Sequence, residues 1–266
     1  MKEEKKVSGT NEWSVMTLNF MKGCMHDCKY CYAKEQSIRF KRNTPENWVN
    51  EQVNPKVFNK KFKKVEGRIM VPSTHDLTPD NIEYSIEFLR KILSSGNEVL
   101  IVSKPHLEVI RRVCEEFVEY RDKILFRFTI GSNDSSILRF WEPGAPSYDE
   151  RRESLIHAFN KGFSTSISIE PILYMENIDV LINDLLDYVS DSIWLGKMNF
   201  LFKRLKMNGF SDSDTLKKGG ELIGSQSDDA IKDLYNRWKD NPQIKWKESI
   251  KKVVNIEVST VKGLDI

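Results

Sequence analysis

Between Trp13 and Gly196, short apolar runs rich in β-branched and aromatic residues alternate with longer stretches of helical period. The runs are "WSVMTLNF", "RIMVP" (68–72), "EVLIVS" (98–103), "ILFRFTI" (124–130), "FSTSISIE" (163–170) and "SIWLGK" (192–197). The intervening helices have legible starts. Thr78 and Pro79 precede a stripe of Ile82, Ile86, Leu89 and Leu93, Ser147 and Glu150 form a capping box, and Ile178, Leu181 and Leu185 repeat on one face. Strand and helix alternation of this kind favours a parallel sheet with its helices outside, open or closed into a barrel. Six units fall short of the eight-stranded barrel, so the expected fold is α/β, a partial (β/α)6 TIM-like barrel.

In parallel α/β architectures, function gathers at the C-terminal strand ends. Here those ends read "KGCMHDC", "STHD", "SKP", "GSND", "EP" and "KMN", all polar or reactive. The barrel core is expected over residues 1–200. Residues 201–266 are expected to pack on it as a short helical extension, with "KMNGFSDSDTLKKGGELIGSQSDD" as loop and helices in "DAIKDLYNRW" and "KWKESIKKVV".

Composition narrows the class. A hydrophobic fraction of 39% with 11% aromatic residues can build a core, and 41 basic against 39 acidic residues leave a net charge of +2. No global field draws such a chain to nucleic acid, and the lysines from Lys56 to Lys64 read as a solvated face. The N-terminus is charged where a signal peptide would be apolar, and no run approaches the roughly 20 apolar residues of a membrane span. The expectation is a cytoplasmic protein without membrane or nucleic-acid partners. Closely spaced cysteines in that reducing compartment bind metal or do redox chemistry.

Three of the four cysteines, Cys24, Cys28 and Cys31, form a C-x3-C-x2-C set after the first strand. A Cys3His zinc site would need His26 from inside the loop. Three thiolates also suit a [4Fe–4S] cluster whose fourth iron is open to a small molecule. Cys114 falls at helical spacing from Leu107, Ile110 and Phe117 and reads as a buried core residue.

The spacing, with Tyr30 directly before the last cysteine and a strand before the loop, resembles the signature of the radical S-adenosylmethionine (SAM) superfamily. That resemblance implies two cofactors, a [4Fe–4S] cluster on Cys24, Cys28 and Cys31 and SAM chelated by the open iron. It also implies an external electron donor such as flavodoxin or ferredoxin, and a deoxyadenosyl radical that abstracts hydrogen from substrate.

SAM contacts would come from the other strand ends. The family's Gly-Gly-Glu element after the second strand is replaced by "PSTHD", so Ser73, Thr74 and His75 would take its role; their alternative is helix-start chemistry. Lys104 would pair with the SAM carboxylate, or stand as a loop lysine. The segment 128–163, with "GSND", "EPG" and an "ER" pair, resembles the spore photoproduct lyase branch. By that analogy Ser132 and Asn133 touch SAM, and Arg139 and Glu142 bind the cofactor or organise the loop. Glu170, Lys197 and Asp76, with Asn199, are the substrate-side candidates.

Three functions are compatible with these residues and resemblances. The favoured one is a radical SAM lyase acting on a small polar substrate, a modified 7-deazaguanine (queuine-like) nucleobase. The second is a DNA photoproduct repair lyase, whose resemblance implies a further relay cysteine that only Cys114 could supply. The third is a non-enzymatic zinc or iron–sulfur module.

Overall fold

The computed structural model describes residues 6–264. In chain order the strands are β1 (Met16–Thr17), β2 (Met21–Lys22), β3 (Gln52–Val53), β4 (Arg68–Val71), β5 (Glu98–Ser103), β6 (Ile124–Thr129), β7 (Ser164–Ile169), β8 (Ile193–Leu195) and β9 (Ile244–Trp246). β1 and β4 to β9 form one seven-stranded parallel sheet in that order, and β2 pairs with β3 as a small antiparallel ribbon. All six apolar runs therefore supply strands, in the arrangement of a partial TIM-like barrel. Helices Ile82–Ser94, Leu107–Glu116, Tyr148–Asn160 and Ile178–Leu186 cross between consecutive strands.

Strand periodicity splits the interior into two layers. Ile69, Val71, Val99, Ile101, Phe126 and Phe128 face the helices and share one core with Leu89, Ile110, Leu155 and Leu181. Their alternates Met70, Leu100 and Leu125 turn inward and pack with Trp13 and Trp194. Arg127 belongs to the inner layer and is fully buried, its guanidinium carbon 4.8 Å from the Trp13 ring and 5.4 Å from Trp194, with Nε donating to Ser166 Oγ at 2.9 Å. That plug fills the floor beneath the C-terminal strand ends. Register pairs Thr129 with Ser168, Ile169 with Leu195 and Leu195 with Trp246, which places those ends on one rim.

Two expectations for the C-terminal region are corrected. The segment read as loop (206–229) is largely helical: it ends helix Leu201–Asn208 and carries helix Ser213–Ser225, while helix Asp228–Trp238 stands where one was expected. Asp212 caps the second by accepting from Thr215 N at 2.9 Å, and Gly219, where a Cβ would lie 3.3 Å from Phe202, lets it approach Leu201 and Leu205. "KWKESIKKVV" begins as strand, because buried Ile244 and Trp246 flank half-buried Lys245 in a period of two and extend the sheet beside β8. Only Glu248–Lys251 is helical there.

The segment before β1 ties the two sheet edges together. Glu12 pairs with Lys247, just past β9, at 2.7 Å, and Lys247 Nζ also donates to Gly9 O at 3.0 Å.

Candidate functional site

The three cysteines lie on the loop between β2 and helix Tyr32–Arg39. Gly23 opens it with φ +84°, and a Cβ there would lie 2.7 Å from both Trp48 O and Asn50 O, so only glycine fits. Cys24 N bonds to Trp48 O at 3.0 Å. Cys31 caps the helix, its Sγ accepting from Lys34 N at 3.3 Å.

Three supports fix the loop from outside. Tyr30 OH donates to Glu142, which is wholly buried and pairs with equally buried Arg151 at 2.6 Å. Gly144 N donates to His26 O at 3.0 Å, and a Cβ on Gly144 would run into Met25 O, so the "EPG" turn after helix Ser135–Trp141 backs directly onto the cysteine loop. Asn208 Nδ2 reaches Lys29 O and Cys31 O, each at 2.9 Å. Within the loop, His26 stands 3.3 Å from Asp76 through Nδ1 and 2.9 Å from His106 through Nε2.

A cavity of about 500 Å³ opens over the strand ends. It brings together Cys24, Cys28, Cys31, Tyr30, Ser73, Thr74, His75, Asp76, Lys104, Glu170, Lys197 and Asn199. Ser132, Asn133, Arg139 and Glu142 are absent from its lining. Ser132 is buried and accepts from Asp134 N, Asn133 accepts from Asn177 Nδ2, Arg139 is exposed on helix Ser135–Trp141, and Glu142 anchors Tyr30. The backbone of "PSTHD" is held by Asn19 Oδ1, which accepts from Ser73 N at 2.7 Å and Thr74 N at 3.0 Å. Thr78, rather than Thr74, caps the turn that begins the next helix.

Electrostatics follow burial. Desolvation pushes the Cys28 thiol up to about 12 and raises Cys24 and Cys31 as well, so the free thiols hold their protons. Burial drives His75 down to about 3, leaving a neutral imidazole whose two nitrogens find no hydrogen-bond partner among the described residues. Asp76 goes the other way: burial would raise it, but His26, Lys104 and Ser103 outweigh burial and keep it ionised. Its oxygens accept from Ser103 Oγ, from Lys104 N at 2.9 Å and from Leu77 N at 2.8 Å. Lys104 is likewise held above its ordinary value, burial being overcome by Cys28, Glu142 and Asp76.

This donor set fits an iron–sulfur cluster. Three soft thiols from one loop face a common cavity, and the fourth cysteine, Cys114, is buried among the outer helices. Among the described residues no three His, Cys, Asp or Glu side chains are close enough to share a single metal ion, as a zinc knuckle would need.

The fold and the site thus define a radical SAM architecture, and the chain belongs to the Radical SAM superfamily, whose family model matches residues 18–186. Its cofactors are a [4Fe–4S] cluster and SAM. Among curated relatives it is 24% identical over 238 residues to the uncharacterized protein ORF301 of Acidianus two-tailed virus, covering 77% of this chain and 78% of that one. It is 27% identical over 155 residues to the uncharacterized protein MJ0683 of Methanocaldococcus jannaschii, covering 57% and 58%. Among solved structures it resembles spore photoproduct lyase complexed with dinucleoside spore photoproduct, at TM-score 0.58 and 14% identity over 92% of this chain and 79% of that one. It also resembles Streptococcus suis SuiB bound to S-adenosylmethionine, at TM-score 0.54 and 12% identity over 94% and 54%. At those identities the likeness is one of fold.

The cavity has a far wall that the strand-end reading did not include. Glu12, Trp13, Phe200, Arg204 and Lys247 all line it. Lys247 is buried, pairs with Glu12 and lies 3.5 Å from Glu170. The sequence carries no local signal for these residues, because they come from the segment before β1 and from beyond residue 199.

Proposed function

We propose that this chain is a radical SAM lyase acting on a modified nucleobase of the 7-deazaguanine, queuine-like class. In this reading Cys24, Cys28 and Cys31 hold the cluster, while Lys104 and the Ser73–His75 turn bind SAM. The bound pair supplies one-electron cleavage of the sulfonium and, from it, a radical that takes hydrogen from substrate. Asp76 keeps Lys104 and His26 in place, because its own oxygens are already taken by Ser103, Lys104 N and Leu77 N. Glu170 faces the substrate, with Lys197 at the mouth, where it is tethered to Asp228 at 3.1 Å.

The observation that carries the reading is Glu170. Its carboxylate is held by Lys247 at a cavity wall, where it can accept from the N–H edge of a guanine-like ring. Cys114 is 2% exposed and lies outside the cavity lining, which weighs against a repair lyase that relays its radical through a further cysteine. A flavodoxin or ferredoxin is the proposed electron donor and the cytoplasm the proposed compartment. Among the described residues no helix is long and apolar enough to cross a membrane.

The test is anaerobic reconstitution followed by incubation with SAM, dithionite and queuine, read by mass spectrometry. Deoxyadenosine should form together with a cleaved base, and Glu170→Gln should depress base cleavage more than ten-fold. Deoxyadenosine formation indifferent to queuine, with conversion of dinucleoside spore photoproduct instead, would refute the proposal.

A further inference from the structure

We infer that Arg204, with Phe200 beside it, is an anion-binding subsite of the cavity, taking the phosphate or carboxylate of a bound small molecule. The inference deepens the proposed reading by adding a charged group to its ligand, and rests on it only for the nucleotide probe below.

The cations lining the cavity differ in one respect. Lys104 lies 4.0 Å from Glu142, Lys197 pairs with Asp228 at 3.1 Å, and Lys247 is shared by Glu12 and Glu170. The Arg204 guanidinium has no hydrogen bond or ion pair with any described residue; its contact is with the Phe200 ring, 5.9 Å away. The groups that act on it from a distance are Cys31 of the cysteine loop, then Glu170 and Glu35, and both carboxylates are engaged elsewhere. Lys247 holds Glu170, and Lys203 and Arg39 hold Glu35 at 3.2 and 3.8 Å. A half-buried guanidinium without a counter-charge is costly, and its planar fork matches a carboxylate or phosphate with two parallel hydrogen bonds.

Phe200 supplies the second feature. It is 74% exposed yet lines the cavity, and its backbone sits at φ 55°, a left-handed conformation that disfavours a bulky residue. The turn that imposes this is pinned by Met198 N donating to Gln226 Oε1 at 2.7 Å. Helix Leu201–Asn208 follows, so Arg204 rises one turn above Phe200 on the same face. An exposed aromatic held in a strained turn at a cavity mouth, next to an uncompensated guanidinium, suits a flat ring bearing an anionic group.

The experiment measures equilibrium binding to anaerobically reconstituted wild type, Arg204→Gln, Arg204→Lys and Phe200→Leu. Iron content and cluster absorbance serve as the check on folding. Three probes separate the sources of charge: GMP against guanosine, SAM against decarboxylated SAM, and pyrophosphate, which carries an anion and no base. If the anion belongs to the substrate, Arg204→Gln erases the preference for GMP by roughly ten- to a hundredfold. SAM affinity is then unchanged, Arg204→Lys restores part of the preference, and Phe200→Leu weakens GMP and guanosine alike. If the anion is the SAM carboxylate, the SAM preference collapses instead, and the subsite stands with its ligand reassigned. Loss of pyrophosphate binding alone, with neither purine compound bound by wild type, sustains the subsite while removing the nucleobase reading. Equal binding of all probes by wild type and Arg204→Gln overturns the inference.

Discussion

The buried pair behind the cysteine loop sets the largest expected effect of a single substitution. Glu142 and Arg151 are both fully buried, 2.6 Å apart, and Glu142 also accepts from Tyr30 between two of the cluster-loop cysteines. Glu142→Gln keeps the shape but leaves the Arg151 charge uncompensated, although Arg151 retains Pro146 O at 2.9 Å and Thr129 O at 3.2 Å. Removing one partner of such a pair costs about 3–5 kcal/mol. Urea unfolding of the metal-free chain followed by tryptophan fluorescence should show that loss at pH 7, and iron content after reconstitution should fall because Tyr30 is no longer held. Adding Arg151→Met should recover at least about 1 kcal/mol, since the two changes are coupled. The effect also has a pH signature. Burial would raise Glu142, but Arg151, Lys104 and Tyr30 outweigh it and hold its carboxyl below the ordinary 4.5. Its contribution is therefore present above pH 4.5 and lost as pH falls through the lower folded value, so wild type and variant should converge in acid. A Glu142→Gln protein within about 0.5 kcal/mol of wild type at pH 7 would refute the argument.

Other substitutions address separate links. Gly144→Ala would drive a methyl against Met25 O, so cluster incorporation should fall sharply; full iron content in this variant would show that the loop is free to shift. Lys104→Ala should weaken SAM binding about ten-fold with the cluster retained, measured by equilibrium dialysis, and unchanged affinity would remove the carboxylate role. Cys28→Ala should abolish both cluster absorbance and SAM cleavage. Cys114→Ala should leave cleavage intact and cost about 1 kcal/mol in urea unfolding, whereas SAM cleavage persisting without product would revive the relay.

The barrel was legible because strands buried on both faces read as continuous apolar runs, and six of them are separated by amphipathic helices. β9 escaped because three residues with a lysine at the centre carry little pattern, and their strand state comes from pairing with β8. Helix Ser213–Ser225 was hidden by Gly219 and Gly220, of which Gly219 is used for close packing against Leu201 and Leu205. The cysteine loop could be read because its donors are adjacent in sequence. Asn133 had the right position at a strand end, but its amide accepts from Asn177, a choice that local sequence does not determine.

The "EPG" and "ER" elements show how a motif can be visible while its work is not. Read in sequence, Glu142 could equally bind cofactor or organise the loop, and the "ER" pair at 150–151 is a separate feature with no assigned partner. In the fold Glu142 and Arg151 neutralise each other beneath Tyr30, with Lys104 4.0 Å from the same carboxylate on the cavity side. Glu142 therefore links the segment after β6 to the cysteine loop and, through Lys104, to the segment after β5. A ligand carboxylate at Lys104 would compete with Glu142 for one ammonium, whereas one at Arg204 would meet no rival. The two cations are chemically unequal for that reason.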